Sequence, residues 1–184
     1  MLTHTGTTKI ETERLILRRF THNDNKSMRR NWIADEEIQL NYAEPVYETE
    51  GEVRELLDKY ISSNEKNDYF KWAVIDKGTS ECGGQITYFL VDSKNHFAEI
   101  EYCIGRTYQG RGFATEATKA IIKYGFEKIN LNKVQICCRP SNTKSNKVIE
   151  KCGFVYEGEL REYFWRGDHY EGRKFYSILR SEFL

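Results

Sequence analysis

The chain has 184 residues, 39% apolar and 30% charged, with 28 basic and 28 acidic side chains in balance. This length and composition suit one soluble domain with a real core, residues 1–184, and exclude a disordered chain. Zero net charge argues against nucleic acid or an anionic membrane as main partner, and no apolar run approaches the roughly 20 residues that span a bilayer.

In chain order, "ERLILRRF" (13–20) reads as a first strand and "NKSMRRNWIAD" as a weakly patterned helix. In "YETEGEVRELLDKYISS", Val53, Leu56, Leu57, Tyr60 and Ile61 lie on one helical face, and Thr49 with Glu52 makes a capping box at its start. "YFKWAVID" (69–76), "CGGQITYFLVD" (82–92) and "HFAEIEYCI" (96–104) read as an antiparallel meander. A second helix follows "YQGRGFA", with Ala117, Ala120, Ile121 and Tyr124 on one side. "KVQICCR" (133–139) is a dense apolar strand halted by Pro140, and a short helix through "TKSNKVIEKC" ends at Gly153. The tail, alternating aromatic and charged residues around "RGDH", reads as a long hairpin. The order predicts a mixed α/β (α+β) fold, with helices packed on a sheet.

The five cysteines, Cys82, Cys103, Cys137, Cys138 and Cys152, are odd in number and match no zinc spacing. Four scattered histidines add no ligand cluster, and the polar start "MLTHTGTTK" lacks the apolar stretch of an export signal. Reduced thiols, no metal and a cytoplasmic location are the expectation.

The stretch "YQGRGFATEA" carries a strand into a helix through two glycines. The first amides of a helix have no intrahelical acceptor and its dipole is positive there, so Gln109, Gly110, Arg111, Gly112, Phe113 and Ala114 could wrap a pyrophosphate. The loop lacks the Gly-Lys-Ser/Thr of a P-loop and the third glycine of a dinucleotide fingerprint, where Thr115 stands. Read alone, it is either an anion cradle or a tight strand-to-helix turn.

Gln109, Gly112 and Ala114 fit the Q/R-x-x-G-x-G/A signature of the GCN5-related N-acetyltransferase (GNAT) superfamily. "RPSNTKSNKVIEKCGF" resembles the Asn-x-x-Ser…Lys-x-Gly-Phe stretch of its RimJ/RimL-type branch, as Asn142, Ser145, Lys151, Gly153 and Phe154, and both ends of the chain are similar to the same branch. The resemblance implies a GNAT fold: a central mixed, largely antiparallel twisted sheet of about seven strands with helices on both faces. It also implies a V-shaped opening between the strand ending near Ile104 and "KVQICCR". It implies acetyl-CoA as donor and a primary amine as acceptor, either a protein N-terminal α-amine or a small amine such as a polyamine. The loop from Gln109 to Ala114 would hold the CoA pyrophosphate, and the strand around Cys103 and Ile104 would pair with pantetheine. Asn142 would contact pantetheine or cap its helix, or both, and Arg111 and Lys147 are candidates for the CoA phosphates.

Acetyl transfer needs a neutral amine, a stabilised oxyanion and a proton for the thiolate. Deprotonation at pH 7 costs roughly 1 kcal/mol for an α-amine and about 4–5 for a lysine-like amine, so an α-amine enzyme needs only a weak base. Glu99 and Glu101 project from one strand face and are the base candidates, with Glu99 preferred; a solvent-facing acidic strand is the alternative. Glu101 departs from the branch's usual glycine before the tyrosine. Ile149 stands where many relatives carry the tyrosine that protonates sulfur, which leaves Ser145, one turn earlier, for that role. Cysteine nucleophilic catalysis has no adjacent histidine to support it. Tyr163, Phe164, Trp165 and Tyr170 would cover the acceptor side or a subunit interface of a homo-oligomer. The competing readings are an acyl-CoA-binding regulatory module without turnover and a nucleotide-binding protein using the same loop.

Overall fold

The computed structural model describes residues 1–42 and 44–183, and its strands form one eight-stranded sheet. They are β1 (Ile10–Glu11), β2 (Leu15–Arg18), β3 (Phe70–Asp76), β4 (Cys82–Asp92), β5 (Phe97–Ile104), β6 (Lys133–Cys138), β7 (Val155–Trp165) and β8 (Tyr170–Leu179). Their order across the sheet is β1-β2-β3-β4-β5-β6-β8-β7. Every neighbouring pair is antiparallel except β5–β6, whose parallel pairing needs a crossover, here made by a helix. The count exceeds the expected seven or so because β1 is only two residues long, too short to leave a periodic signal. The first full strand begins at Leu15 rather than Glu13, because Thr12 N–H donates to Leu15 O and closes a turn over the intervening residues.

The helices are α1 (Asn25–Met28, continued by a wider turn over Arg29–Ile33), α2 (Glu36–Tyr42), α3 (Glu50–Ser63), α4 (Phe113–Tyr124), α5 (Thr143–Lys151) and α6 (Arg180–Phe183). Thr49 N–H donates to Glu52 Oε2 at 2.9 Å and Glu52 N–H to Thr49 Oγ1 at 3.2 Å, so the expected capping box starts α3. The short α2 carried no recognisable period in the sequence; it buries only Ile38 and Gln39.

Strand alternation sends neighbouring side chains into two cores. Ala98, Ile100 and Ile104 of β5 pack on the α4–α5 side with Phe113, Ala117, Ile121 and Ile149. Cys103 packs on the other side with Trp32, Val53, Leu57 and Ala73. Each fully buried Leu or Ile in these cores contributes about 1.5–3 kcal/mol.

The sheet then splits. β5 and β6 pair from Phe97↔Lys133 through Ile100↔Ile136 and no further. Beyond that point β5 stays with β4 as far as Gly84↔Ile104, while β6 stays with β8 as far as Cys138↔Lys174. A bulge in β4 between Tyr88 and Leu90, opposite Ile100 and Glu99, lies beside the point of divergence. Bulges bend a strand and sharpen its twist, which turns the end of β5 away from β6.

Candidate active site

The wedge between β5 and β6 leaves the main chain of Glu101 to Ile104 without a strand partner on the β6 side. The side chains of Cys103 and Ile104 are buried in opposite cores, so backbone groups are what these two residues present there. One of them is already engaged: Gln109 Nε2 donates to Ile104 O at 3.0 Å.

Three consecutive residues of α5 fasten its first turn over the wedge. Lys144 Nζ donates to Gln109 Oε1 at 3.0 Å, Ser145 Oγ lies 3.0 Å from Tyr102 Oη, and Asn146 Oδ1 accepts from Tyr176 Oη at 3.0 Å. Asn142 caps the helix, with its Oδ1 accepting from Ser145 N at 3.0 Å. Lys147 is exposed, and Ile149 is fully buried in the α4-side core.

The glycine loop has the geometry of an anion cradle. Gly110 and Gly112 take φ of +74° and +80°, a left-handed conformation that costs other residues strain. Glu116 N–H to Gly112 O is the first bond of α4, so among the described residues the amides from Gly110 to Thr115 have no main-chain acceptor. Arg14 Nη1 donates to Arg111 O at 2.8 Å and holds that carbonyl outward. The Arg111 guanidinium bonds Asp76 Oδ2 at 3.1 Å and stacks 4.4 Å above the Phe113 ring. The guanidinium commits one N–H to Asp76, and its side chain remains 46% exposed. Phe113 is buried beneath the turn and Ala114 packs against the core, which anchors the cradle from below.

Glu99 and Glu101 share a face of β5 but not an environment. Glu99 is 6% exposed, pairs with Gln135 across β5–β6, and accepts from Gln135 Nε2 at 2.5 Å. Glu101 lies beyond the last β5–β6 pair and lines a cavity of about 440 Å³. Burial raises its pKa above the usual carboxylate range, while the Tyr42 hydroxyl and the Lys71 ammonium favour the charged form. Gln85 Nε2 donates to Tyr42 Oη at 2.9 Å, tying α2 to β4 beside Glu101.

The family model for the acetyltransferase (GNAT) domain matches residues 14–155. The chain belongs to the GNAT acetyltransferase family. Among its relatives, the uncharacterized N-acetyltransferase p20 of Bacillus licheniformis is 32% identical over 152 residues, 83% of this chain and 85% of that protein. A GNAT-family acetyltransferase from Bacillus anthracis superposes with a TM-score of 0.84 at 28% identity, covering 95% of this chain and all of that one. Spermidine N-acetyltransferase from Vibrio cholerae, solved with CoA and spermine, superposes with a TM-score of 0.78 at 27% identity, covering 94% of this chain and 99% of that one.

As a GNAT enzyme the chain is an acetyl-CoA-dependent N-acetyltransferase, and the cradle of open amides on α4 fits the anionic end of that donor. Burial disfavours the thiolate form of its cysteines, pushing Cys137 up to about 12 and Cys152 up to about 11, and Cys82, Cys103 and Cys138 upward as well. Among the described residues no group of three or more His, Cys, Asp or Glu could hold a metal, and no helix is long and apolar enough to cross a membrane. Tyr163, Trp165 and Tyr170 are more than half exposed on the β7–β8 hairpin, and Phe164 lies beneath Arg173. Sequence reasoning missed Tyr42 and Tyr102. Tyr102 sat between the two singled-out residues Glu101 and Cys103, but its partner Ser145 lies on a helix distant in sequence.

Proposed function

We propose that residues 1–184 act as a single catalytic domain that acetylates a cationic primary amine by direct attack within a ternary complex. The observation that carries the acceptor reading is the cavity beside Glu101. Glu44, Asp68 and Glu101 line it against Lys71 and His4, an excess of carboxylates suited to an amine with a second positive charge. The spermine bound to the Vibrio cholerae relative supports the same class.

Bound acetyl-CoA supplies the activated acyl group, and the chain's own residues position it and handle protons. The amides from Gly110 to Ala114 take the pyrophosphate, with Gln109 bracing the loop against Ile104 and Lys144. The main chain of Cys103 and Ile104 and the Asn142 amide nitrogen serve pantetheine, and Lys147 serves an outer phosphate. Glu101 is the base in preference to Glu99, because it lines the cavity while Glu99 is occupied by Gln135. A raised carboxylate pKa lies closer to that of an amine and makes proton transfer less uphill. Ser145, at the head of α5, faces the sulfur. The raised thiol pKa values of buried Cys103 and partly buried Cys137 favour direct transfer over an acetyl-cysteine route.

The motifs around Asn142 and Ser145 also keep a protein N-terminal α-amine in view, as expected of a RimJ/RimL-type enzyme. Thiol release from acetyl-CoA, measured across diamines, polyamines, monoamines of equal length and N-terminal peptides, separates the two. The cationic-amine reading expects kcat/KM for diamines or polyamines at least tenfold above the matched monoamines. Preference for the peptides would overturn it, and saturable CoA binding without turnover on any acceptor would point to a regulatory module.

A further inference from the structure

We infer that Tyr102 is a positioning residue for the leaving group: its hydroxyl donates to Ser145 Oγ and so turns the serine hydrogen toward the departing sulfur. The inference rests on the reading above that Ser145 faces that sulfur.

The contact spans the wedge. Tyr102 belongs to β5 and Ser145 to α5, and their oxygens lie 3.0 Å apart beyond the last β5–β6 pair, Ile100↔Ile136. Among the described residues neither oxygen has another side-chain partner, so one hydrogen lies between them and the other points elsewhere. Chemistry selects the arrangement. A phenol is a far stronger acid than an alcohol and the better donor of the pair. Burial pushes Tyr102 up to about 12, so it keeps its hydrogen at neutral pH. The Tyr102 ring is partly buried and packs against the α4-side core, which fixes its hydroxyl beside Ser145. With tyrosine donating, Ser145 Oγ–H is free for the wedge and is polarised by the bond it accepts.

The serine is held for this purpose. Its amide donates to Asn142 Oδ1 at 3.0 Å, and its neighbours Lys144 and Asn146 fasten the same turn to Gln109 and Tyr176. Ile149, one turn further on and 0% exposed, offers no hydrogen to compete. In the step itself the amine nitrogen bonds to the carbonyl carbon, the carbon–sulfur bond then breaks, and its electron pair leaves on sulfur. The thiolate accepts the Ser145 hydrogen bond, Tyr102 gives up no proton, and the thiolate takes its proton from solvent on release. The amine proton leaves through Glu101.

Tyr102→Phe removes one oxygen and keeps the ring that packs against the core. The ionisation of CoA bound to the intact protein, followed by thiolate absorbance against pH, reads the proposed contact directly. In Tyr102→Phe the midpoint should rise by about one pH unit, a tenfold weaker ionisation. The kcat should fall about tenfold, with KM for both substrates within about threefold of wild type. Ser145→Ala should do the same, and the double variant should lose little more than either single one. A bound-thiol midpoint that moves in Ser145→Ala but not in Tyr102→Phe would overturn the role of Tyr102 and leave that of Ser145 standing. If neither variant moves it, Ser145 does not face the sulfur and the inference falls with that reading.

Discussion

Glu99 and Glu101 differ by two positions in sequence and by one strand neighbour in space. Glu99 has Gln135 across the β5–β6 pair, whereas Glu101 lies past the end of that pair, against Tyr42 and Lys71. Glu101→Gln should therefore lower kcat/KM by about 10²–10⁴, the range for loss of a general base. The sign of the pH dependence follows from the raised pKa. As pH falls through it the carboxylate gains a proton and can no longer accept one, so wild-type activity should drop above the ordinary carboxylate range. Glu101→Gln should flatten that acid limb in a kcat/KM profile, and Glu99→Gln should keep it with a loss under about tenfold. That both glutamates share a face was legible from alternation alone. Which of them meets a cavity was not, because Gln135, Tyr42 and Lys71 arrive from three other elements. Asn142 carries two assignments that one variant can separate. Asn142→Ala should cost about 1 kcal/mol in thermal unfolding through the lost cap, and raise KM for acetyl-CoA while leaving KM for the amine near wild type.

At the level of elements, the loop before α4 and the first turn of α5 work as a pair. Gln109 touches both β5 and Lys144, so the cradle and the helix over the wedge are mechanically joined. Gly112 stands at the N-cap of α4 with φ +80°, and a Cβ there would lie 3.2 Å from Arg14 Nη2. Gly112→Ala should destabilise the fold by roughly 1 kcal/mol or more. It should also raise the Kd for CoA in calorimetry several-fold, since the cradle's amides depend on that turn; unchanged affinity would remove the loop from the donor site. The strand–glycine–helix pattern was visible in "YQGRGFATEA", and its conformation follows from glycine chemistry. The diversion of Arg111 into Asp76 was invisible, because Asp76 ends a strand far upstream. The same holds for α2, whose one short buried turn leaves too little periodicity to recognise.

For the molecule as a whole, the decisive feature is the split between β5 and β6. It is produced by pairing choices on both outer sides: β5 follows β4 around its bulge, and β6 follows β8. An open wedge flanked by buried thiols predicts a ternary complex. Initial-velocity lines should intersect rather than run parallel, and Cys137→Ala should retain kcat within about threefold; parallel lines with an inactive variant would establish a covalent acetyl-cysteine instead. Legible in the residues alone were the order of the longer elements, the two-faced patterning that builds a mixed sheet, and the glycine and asparagine chemistry at the heads of α4 and α5. These are local properties, set by periodicity and backbone preference within a few residues. The tertiary structure alone decided where β5 leaves β6, which glutamate faces the cavity, and that Tyr102 meets Ser145. Each of those depends on side chains brought together from distant elements, and no local preference encodes such a meeting.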